Sequence, residues 1–456
     1  MTSARDLASL ATALSEGALT TNPATVENYR RDWTQSEAAG MPLGLVRAQR
    51  ADDVVATLRW ASAHAVPVVP RGAGSGLSGG SCAVDGCVVL SMERMRAIEI
   101  DPATRTATVE PGAFNADVKQ AAAEHGLWYP PDPSSFEICS IGGNVATNAG
   151  GLCCVKYGVT TDYVLGLDVV LADGTLLRLG GHRIKDVAGL PLLKLFVGSE
   201  GTLGVVTRAI LRLLPARPPA ATLVAFFPTV AASARAVVEI GRQVRPSMLE
   251  LMDNASINAV EDYQAMGLDR GAGALLLAQS DAPGAARAEE IEVIRAACEE
   301  QGAVECLVTD DPAEGELFAA ARRAAFPAIE KLGSLMLEDV GVPIPLLPEL
   351  LAGIDTIAEA NDVQIPVVAH AGDGNTHPII VYPRGDEAAK ERASIAFSEV
   401  MHLAIRLGGT ITGEHGVGRL KRAALEDQLG PDVMALTRRI KHALDPQGIL
   451  NPGAAI

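Results

Sequence analysis

The apolar and polar residues of this chain switch repeatedly between the two-residue period of strands and the 3.6-residue period of amphipathic helices, which predicts a mixed α and β protein. Residues 45–69 are predicted to form a strand, a helix over 52–64 and a second strand. Further elements are predicted as a hairpin around residues 102–104, a helix at 115–125, and strands at 166–174 and 205–214. One or two helices within residues 1–40 are predicted to precede this first domain.

A proline-rich stretch at residues 215–219 separates this half of the chain from a second half. There the alternation of strands and helices starts again and predicts a layer with an antiparallel sheet. The longer helices are predicted at residues 285–301, 317–332, 346–361, 389–407 and 434–444. The sequence therefore predicts an N-terminal helical segment at 1–40, a first domain at 41–217 and a second domain at 218–456.

A glycine-rich segment at residues 67–80, PVVPRGAGSGLSGG, follows an apolar run and carries five glycines. Glycine lets backbone N–H groups approach an anion closely, so the segment indicates a site for a diphosphate. It also satisfies G-x-G-x-x-G and G-x-S-x-G, but both motifs need a helix directly afterwards, and a strand-like run follows here. Glycine-rich stretches at 140–151 and 197–206 are predicted to meet the same ligand, which makes a plain structural loop the weaker alternative.

A second candidate site lies at residues 367–383, VVAHAGDGNTHPIIVYP, where two apolar strands flank a Gly-Asp-Gly turn. This pattern predicts a hairpin in which His370 and His377 face the same side, with Cβ atoms roughly 5 Å apart. Two imidazoles at that distance can share a divalent metal. Downstream, Glu414 and His415 stand between glycines, which favours a ligand over packing. A purely structural histidine pair stays open, and so does a metal hydrolase in which the ion activates water.

Charge and cysteine content narrow the classes of partner and compartment. The net charge is −17, and the one basic run, at residues 419–422, is short, which argues against nucleic acid as a partner. No apolar run approaches the ~20 residues of a membrane span, and the N-terminus does not resemble a signal peptide. The seven cysteines, without C-x-x-C spacing, predict a reducing cytoplasm and no iron–sulfur cluster, with peripheral contact at a membrane left open.

The motifs together resemble those of the FAD-linked oxidase/dehydrogenase family with the vanillyl-alcohol-oxidase-type (PCMH-type) flavin domain. The chain carries, in the family's order, PRGAGSGLSGG, PPDPSS, CSIGGNVATNAGG, KYGVTTDYVLGLDVVLADG, VGSEGTLGVVT, HAGDGNTHP, GEHGVGR and DPQGILNPG. The branch that acts on D-2-hydroxyacids, with the glycolate oxidase flavoprotein subunit and D-lactate dehydrogenases, is the most similar. The resemblance implies an α+β fold: a two-subdomain FAD-binding domain, an α+β cap domain with an antiparallel sheet for substrate and metal, and C-terminal helices with a segment that returns to the flavin domain.

The resemblance also implies roles for individual residues. The FAD diphosphate would lie on Arg71, Gly72, Gly74, Ser75, Gly76 and Ser78. The flavin would lie on Pro131, Asp132, Ser134, Ser135, Gly143, Thr147, Asn148 and Gly151, with Asn375 near the flavin or the substrate. The adenine and ribose would contact Glu200, Gly204 and Val206. The metal, Zn²⁺ or Mn²⁺, would be held by His370, His377 and Glu414, with His415 as the catalytic base and Arg322, or its neighbour Arg323, paired with the substrate carboxylate.

The implied reaction is the FAD-dependent oxidation of a D-2-hydroxyacid of the D-lactate or glycolate class to the 2-oxoacid, by metal-assisted proton abstraction and hydride transfer to flavin N5. Residues 67–80 lack the histidine that attaches FAD covalently in some relatives, so noncovalent FAD is expected. The implied electron acceptor is external: a quinone, a cytochrome, an electron-transfer protein or an iron–sulfur subunit. A homodimer is also considered. The alternatives are a D-2-hydroxyglutarate dehydrogenase and a flavoprotein subunit that acts only within a glycolate oxidase complex.

One position bears on the size of the substrate. Relatives that oxidise D-2-hydroxyglutarate carry a lysine two residues before an aspartate, in the stretch that matches residues 335–343, and this lysine meets the second carboxylate. Anchored on Asp339, the position is Leu337 here. Leucine cannot compensate a second charge, and an unpaired buried carboxylate costs on the order of several kcal/mol. The sequence therefore predicts a preference for short monocarboxylates, unless Arg323 or Lys331 supplies the cation instead.

Overall fold

The computed structural model describes residues 4–456, which form two compact units. The first unit consists of residues 4–150, Val159–Ala216 and Glu414–Ile456. The second unit consists of Gly151–Gly158 and Arg217–Gly413. The chain therefore leaves the first unit after Ala216, and its C-terminal segment from Glu414 onward belongs to the first unit again.

The elements follow one another as short strands and longer helices. The helices are α1 (Ala4–Ala13), α2 (Pro23–Glu27), α3 (Ala51–His64), α4 (Asn115–Ala123), α5 (Ile141–Thr147), α6 (Cys154–Tyr157), α7 (Thr160–Tyr163), α8 (Leu193–Phe196), α9 (Val230–Gln243), α10 (Asn254–Tyr263), α11 (Ala286–Glu300), α12 (Pro312–Glu330), α13 (Leu347–Asn361), α14 (Glu387–Arg406), α15 (Arg422–Leu429) and α16 (Pro431–Leu444), with a 3₁₀ turn at Ile344–Leu346. The strands are β1 (Leu19–Thr20), β2 (Gly44–Arg47), β3 (Val68–Arg71), β4 (Val88–Ser91), β5 (Ile98–Asp101), β6 (Thr106–Val109), β7 (Leu127–Trp128), β8 (Val164–Val170), β9 (Leu176–Gly180), β10 (Val205–Arg212), β11 (Leu214–Pro215), β12 (Ala221–Phe227), β13 (Met248–Asp253), β14 (Ala274–Ser280), β15 (Glu305–Thr309), β16 (Ser334–Leu337), β17 (Val340–Gly341), β18 (Val367–His370) and β19 (Asn375–Tyr382).

The first sheet of the first unit positions the glycine-rich loop. Its strand order is β1-β2-β4-β3, with β2 and β3 both parallel to β4. Parallel strands need a crossover connection, and α3 supplies one between β2 and β3 by burying Leu58 and Ala61 in the core of this layer. Residues 72–80 then leave the carboxyl end of β3 at Arg71, the edge at which open parallel sheets bind their ligands.

The second sheet of the first unit is antiparallel, in the order β5-β6-β10-β8-β9. The hairpin of β5 and β6 confirms the one predicted around residues 102–104. Tyr129, Val145 and Leu167 belong to the apolar core beside this sheet. Because Val145 lies on α5, the same core fixes the helix that carries the second glycine-rich stretch.

The second unit is built on one antiparallel sheet, in the order β15-β12-β14-β13-β18-β19-β16, with β17 also paired to β19. Strands β12 and β14 are buried along their whole length, which explains their nearly continuous apolar sequences, ATLVAFF and ALLLAQS. Helices α9 to α12 pack against these strands. Strands β13, β18 and β19 are neighbours; β18 and β19 carry the two candidate metal-binding histidines, and β13 carries Glu250.

The predicted α+β class and the antiparallel sheet of the second half are confirmed. The glycine-rich stretch at residues 140–151 is not a continuous loop, because α5 occupies Ile141–Thr147. Its Gly142 serves close packing, since a Cβ there would lie 2.6 Å from the Cβ of Pro111. Of the predicted N-terminal helical segment, α1 and α2 are helical, and residues 1–3 lie outside the described residues.

Within residues 4–456, every helix is too short or too polar to span a bilayer.

Candidate functional site

The first glycine-rich loop leaves β3 beside a buried arginine. Arg71 is 8% exposed, its guanidinium carbon lies 5.7 Å from the centroid of the Tyr29 ring, and burial lowers its pKa. Among residues 4–456, the buried Nη1 of Arg71 has no hydrogen-bond partner. A buried cation with an unused donor is costly unless an anion joins it. Gly74, at φ +77°, leaves room for the guanidinium, because a Cβ there would lie 2.0 Å from Nη2.

Ser140 joins this loop to the start of α5. Its Oγ accepts the N–H groups of Ala73, at 3.2 Å, and of Gly143, at 3.3 Å. Gly72 makes this approach possible, since a Cβ at that position would lie 2.3 Å from the same oxygen. The structure therefore brings together Gly72, Gly74 and Gly143, which the sequence places in two separate cofactor-binding stretches.

Several other residues predicted to bind FAD have a defined role in folding. The carbonyl of Pro131 accepts the side-chain amide of Asn115 at 3.2 Å. Asn148 ends α5 in the left-handed conformation at φ 55°, and its Oδ1 accepts the N–H of Thr161 at 2.8 Å. Gly204 needs to be glycine, since a Cβ there would lie 2.5 Å from a side-chain carbon of Val169. The contacts with FAD remain predictions for these residues and for Ser75, Gly76, Asp132, Ser134, Ser135, Thr147, Val206 and, in the second unit, Gly151.

Glu200, from the third glycine-rich stretch, binds the backbone just after the predicted base. Its two carboxylate oxygens accept the N–H groups of Val417, at 2.7 Å, and Gly418, at 2.8 Å. Burial raises the pKa of Glu200 to about 7, although the two backbone hydrogen bonds act in the opposite direction. In the segment it holds, Nε2 of His415 lies 3.7 Å from Oε1 of Glu414. A contact of Glu200 with adenine or ribose stays a prediction.

Ser78 and Arg419 connect the same segment to the first glycine-rich loop. The hydroxyl of Ser78 donates to the carbonyl of His415 at 3.1 Å, and the carbonyl of Ser78 accepts the N–H of Arg419 at 2.9 Å. The Arg419 guanidinium donates to the carbonyls of Gly79 and Gly80 at 2.9 and 3.1 Å. The loop predicted to cradle the diphosphate therefore also fixes the backbone of the predicted base.

In the second unit, the hairpin of β18 and β19 brings the two predicted histidines to one face. His370 lies opposite Asn375 and His377 opposite Val368, so the histidines are diagonal neighbours and not direct cross-strand partners. Their ring centroids lie 5.0 Å apart with an angle of 87° between the rings, and both side chains are buried. Two imidazoles in this arrangement can share one small ion.

Glu250 links His370 to the arginine predicted to bind a carboxylate. Its oxygens lie 2.8 and 2.9 Å from Nδ1 of His370, and because an ionised carboxylate only accepts, Nδ1 donates and the lone pair stays on Nε2. Nε of Arg322 lies 2.9 Å from Glu250 in a buried ion pair that is not aligned as a hydrogen bond. Among residues 4–456, Nη2 of Arg322 has no hydrogen-bond partner. Arg323 pairs instead with Glu316, which favours Arg322 for the predicted role.

Asp339 organises the other side of the histidine pair. It is fully buried, and its Oδ1 lies 3.7 Å from Nδ1 of His377 and accepts the side-chain amide of Asn375 at 3.0 Å. Its Oδ2 accepts the N–H of Gly413, also at 3.0 Å. Gly413 is the last residue of the second unit, and Glu414 follows it in the chain. The predicted position of Asn375 near the flavin or substrate stays a prediction.

Glu250 and Arg419 are not among the site residues predicted from the sequence. Glu250 lies within the apolar run of β13, MLELM, and an isolated acid in such a run was the available signal. Arg419 follows the glycine-rich segment 413–418, and its role depends on carbonyl acceptors more than 300 positions away in the chain, which no local pattern could indicate.

The side chains present fit the two groups that the family resemblance implies. In the first unit, the unused donor of Arg71 and the crowded positions of Gly72 and Gly74 fit an anionic diphosphate. In the second unit, His370 is oriented by a carboxylate on its other nitrogen, as histidines that bind metals generally are, and His377 stands beside it.

Comparisons with known proteins extend over nearly the whole chain. Residues 42–180 match the family model of an FAD binding domain, and residues 217–455 match the model of the C-terminal domain of FAD linked oxidases. The chain is 42% identical over 416 residues to the glycolate oxidase subunit GlcD of Bacillus subtilis, which covers 91% of this chain and 88% of that protein. It is 35% identical over 417 residues to a D-lactate dehydrogenase of Archaeoglobus fulgidus, covering 90% of this chain and 91% of that protein.

Among solved structures, p-cresol methylhydroxylase with substrate bound superposes on this chain with a TM-score of 0.83. The superposition covers 99% of this chain and 96% of that one. At 17% identity, this similarity establishes the fold, and it confirms the predicted vanillyl-alcohol-oxidase type of FAD-binding fold. The family models and the relatives above 30% identity establish the family. The chain belongs to the FAD-linked oxidase family and is an FAD-linked oxidoreductase.

Proposed function

We propose that this protein oxidises a D-2-hydroxyacid of the D-lactate or glycolate class to the 2-oxoacid, using noncovalently bound FAD. The observation that carries the proposal is the buried network of His370, Glu250 and Arg322, in which one carboxylate orients both a candidate metal ligand and a cation suited to a substrate carboxylate. The names of the two relatives, a glycolate oxidase subunit and a D-lactate dehydrogenase, support the same class of substrate.

Each side chain has a proposed task in this reaction. His370, His377 and Glu414 are the proposed ligands of a divalent ion, zinc or manganese, which would supply Lewis-acid polarisation of the substrate hydroxyl. Arg322 would bind the substrate carboxylate through its unused Nη2 group. His415 would remove the hydroxyl proton as general base. FAD would supply the acceptor for the hydride.

The inclusion of Glu414 among the ligands is supported from within the second unit. Asp339 lies against His377 and also binds the N–H of Gly413, the residue before Glu414. A carboxylate and two imidazoles form a donor set typical of catalytic zinc sites.

The test of the proposed function is a panel of 2-hydroxyacids offered to the purified, metal-replete protein with an artificial dye as electron acceptor. We expect a yellow protein that reduces the dye with D-lactate, glycolate or a somewhat larger apolar 2-hydroxyacid. A colourless protein that is inactive on the whole panel would favour the metal hydrolase. Activity of the chain alone would argue against an obligate glycolate oxidase complex.

Within that panel, short monocarboxylates should be preferred over D-2-hydroxyglutarate by at least about tenfold in kcat/KM, or ~1.4 kcal/mol. The reason is Leu337, which pairs with Ile379, two residues along β19 from His377, so that all three side chains share one face of the sheet. Leu337 packs against the apolar core and offers no charge to a second carboxylate.

The variant Leu337→Lys should narrow this gap, and steady-state kinetics with D-lactate and D-2-hydroxyglutarate side by side measure it. Leu317→Lys is the matched control. Leu317 is 64% exposed, so this variant adds the same charge at the surface. A wild-type preference for the diacid would contradict the argument from Leu337 and would favour the D-2-hydroxyglutarate dehydrogenase.

Removal of divalent metal should abolish hydroxyacid oxidation while leaving the flavin absorbance largely intact. The two effects separate because His370 and His377 lie in the second unit, whereas Arg71 and the first glycine-rich loop lie in the first. Exhaustive chelation, followed by the dye assay and an absorbance spectrum, measures both, and addition of Zn²⁺ or Mn²⁺ to the same sample controls for irreversible loss. An unchanged rate in metal-free protein would rule out the proposed metal.

The proposal includes an external electron acceptor: a quinone, a cytochrome, an electron-transfer protein or an iron–sulfur subunit. A dye replaces this acceptor in the assay. We propose that the protein lies in the cytoplasm, at the membrane surface if the acceptor is a quinone. The proposed oligomeric state includes a homodimer. The designation of the Bacillus subtilis relative as a glycolate oxidase subunit supports a partner protein. Dye reduction by the chain alone, compared with reduction of a soluble quinone, distinguishes a quinone acceptor from a protein acceptor.

A further inference from the structure

The carboxylate of Glu200 is aimed at the backbone of the segment that carries His415. It is 7% exposed, and each of its oxygens accepts one backbone N–H, from Val417 at 2.7 Å and from Gly418 at 2.8 Å. Glu200 itself adopts the left-handed conformation at φ 50°, which is uncommon for a residue other than glycine.

The surroundings of this carboxylate are shaped to let it reach the backbone. A Cβ at Gly416 would lie 2.9 Å from Oε1 of Glu200, and a Cβ at Gly80 would lie 3.1 Å from Oε2. At Gly418 the obstacle is the carbonyl of Ser78, which would lie 1.9 Å from an added Cβ. The glycines of this segment therefore give close approach but contribute no side-chain packing, so the segment depends on hydrogen bonds for its position.

These contacts hold the backbone at His415 and directly after it. The hydroxyl of Ser78 binds the carbonyl of His415 itself at 3.1 Å. Glu200 fixes the amides two and three residues later. A residue whose carbonyl and following amides are fixed has little freedom to move its Cα, and a general base works only when its ring lies within hydrogen-bond reach of the proton.

We propose that Glu200 is a positioning residue for the oxidation: its carboxylate locks the backbone of residues 416–418 and thereby fixes the imidazole of His415 for proton removal. The inference rests on the proposed role of His415 as base. It assigns the glutamate of the GSEGTLG motif a task distinct from contact with the cofactor.

The variant Glu200→Gln tests directly whether the Glu200 carboxylate fixes the amides of Val417 and Gly418. Glutamine has nearly the same shape, but one of its terminal groups is an amide donor that would face a backbone N–H, so at least one hydrogen bond is lost. Thr202→Val is the matched control: it removes a buried hydrogen bond in the same turn, from Oγ1 of Thr202 to the carbonyl of Ser199 at 2.6 Å, and spares Glu200.

Two measurements are made on the full-length, FAD-loaded protein. Hydrogen–deuterium exchange with mass spectrometry follows the peptide that contains Val417 and Gly418; we expect exchange at least about tenfold faster in Glu200→Gln and unchanged in Thr202→Val. Steady-state kinetics, with rates normalised to bound FAD, should show kcat at least about tenfold lower in Glu200→Gln and KM within about threefold of the wild type.

Exchange that stays at the wild-type rate would overturn the proposed hold, and faster exchange with an unchanged kcat would overturn the positioning role. If Glu200→Gln does not fold, Glu200→Asp gives the same comparison with a charged but shorter side chain, and intermediate values are expected for both quantities. Failure of the proposed function appears separately, as a wild-type protein inactive on every 2-hydroxyacid, whereas the exchange measurement needs no substrate.

Discussion

Replacing His415 with asparagine should lower kcat for hydroxyacid oxidation by about 10²–10⁴-fold, the range that general bases usually contribute. The amide of asparagine is polar and similar in size to part of the imidazole, but it cannot take a proton at neutral pH. The backbone should keep its place, because Ser78 binds the carbonyl of His415 and not its ring. Flavin content and bound metal should therefore remain at the wild-type level, which flavin absorbance and elemental analysis can verify.

His377→Ala is the informative comparison for this variant. His377 lies 5.0 Å from His370 between ring centroids, and its removal takes away one of the two imidazoles that the ion would share. We expect His377→Ala to lose bound metal and activity together, whereas His415→Asn keeps the metal and loses the chemical step. Equal loss of metal in both variants would show that His415 is a ligand and that the base lies elsewhere.

The local parts of both sites are predictable from the sequence, because their signals are short. Alternation around Gly-Asp-Gly places His370 and His377 on one face of a hairpin, although the diagonal register is set by the two-strand ladder and not by the histidines. The strand before the glycine-rich loop is indicated by its apolar run. Glycine content alone does not indicate the helix at residues 140–151, where Ser140 caps α5 and Gly142 packs against Pro111.

The contacts that join distant segments could not be predicted in the same way. Glu250 is 120 positions from His370, and Glu200 is more than 200 positions from Val417. Whether a buried acid meets a histidine, an arginine or a pair of amides depends on strand order and on the approach of two loops, neither of which leaves a local pattern. The chemistry of such a residue becomes clear only when its partners are known.

The substitution Gly76→Val should reduce bound FAD to below about one tenth of the wild-type level, because a branched side chain in the loop would occupy the space that the diphosphate needs. Gly76 is better suited to this test than Gly74. A side chain at Gly74 would meet Arg71 at 2.0 Å and would strain a backbone at φ +77°, so that variant would disturb the protein itself. At Gly76 the nearest atom to an added Cβ is Oδ2 of Asp32, at 3.8 Å, and the backbone φ is outside the left-handed region that disfavours side chains.

The chain without cofactor should therefore tolerate valine at Gly76, and only the loaded chain should be affected. Absorbance of flavin per chain measures occupancy, and the thermal midpoint of the cofactor-stripped protein should match that of the stripped wild type. Gly241→Val is the control, since an added Cβ there, on α9, meets nothing within 4 Å and lies outside the predicted flavin residues. Normal flavin content in Gly76→Val would mean that the diphosphate lies elsewhere. Because residues 67–80 contain no histidine, the flavin of the wild type should be released into solution by acid, and flavin that stays with the precipitated chain would contradict noncovalent binding.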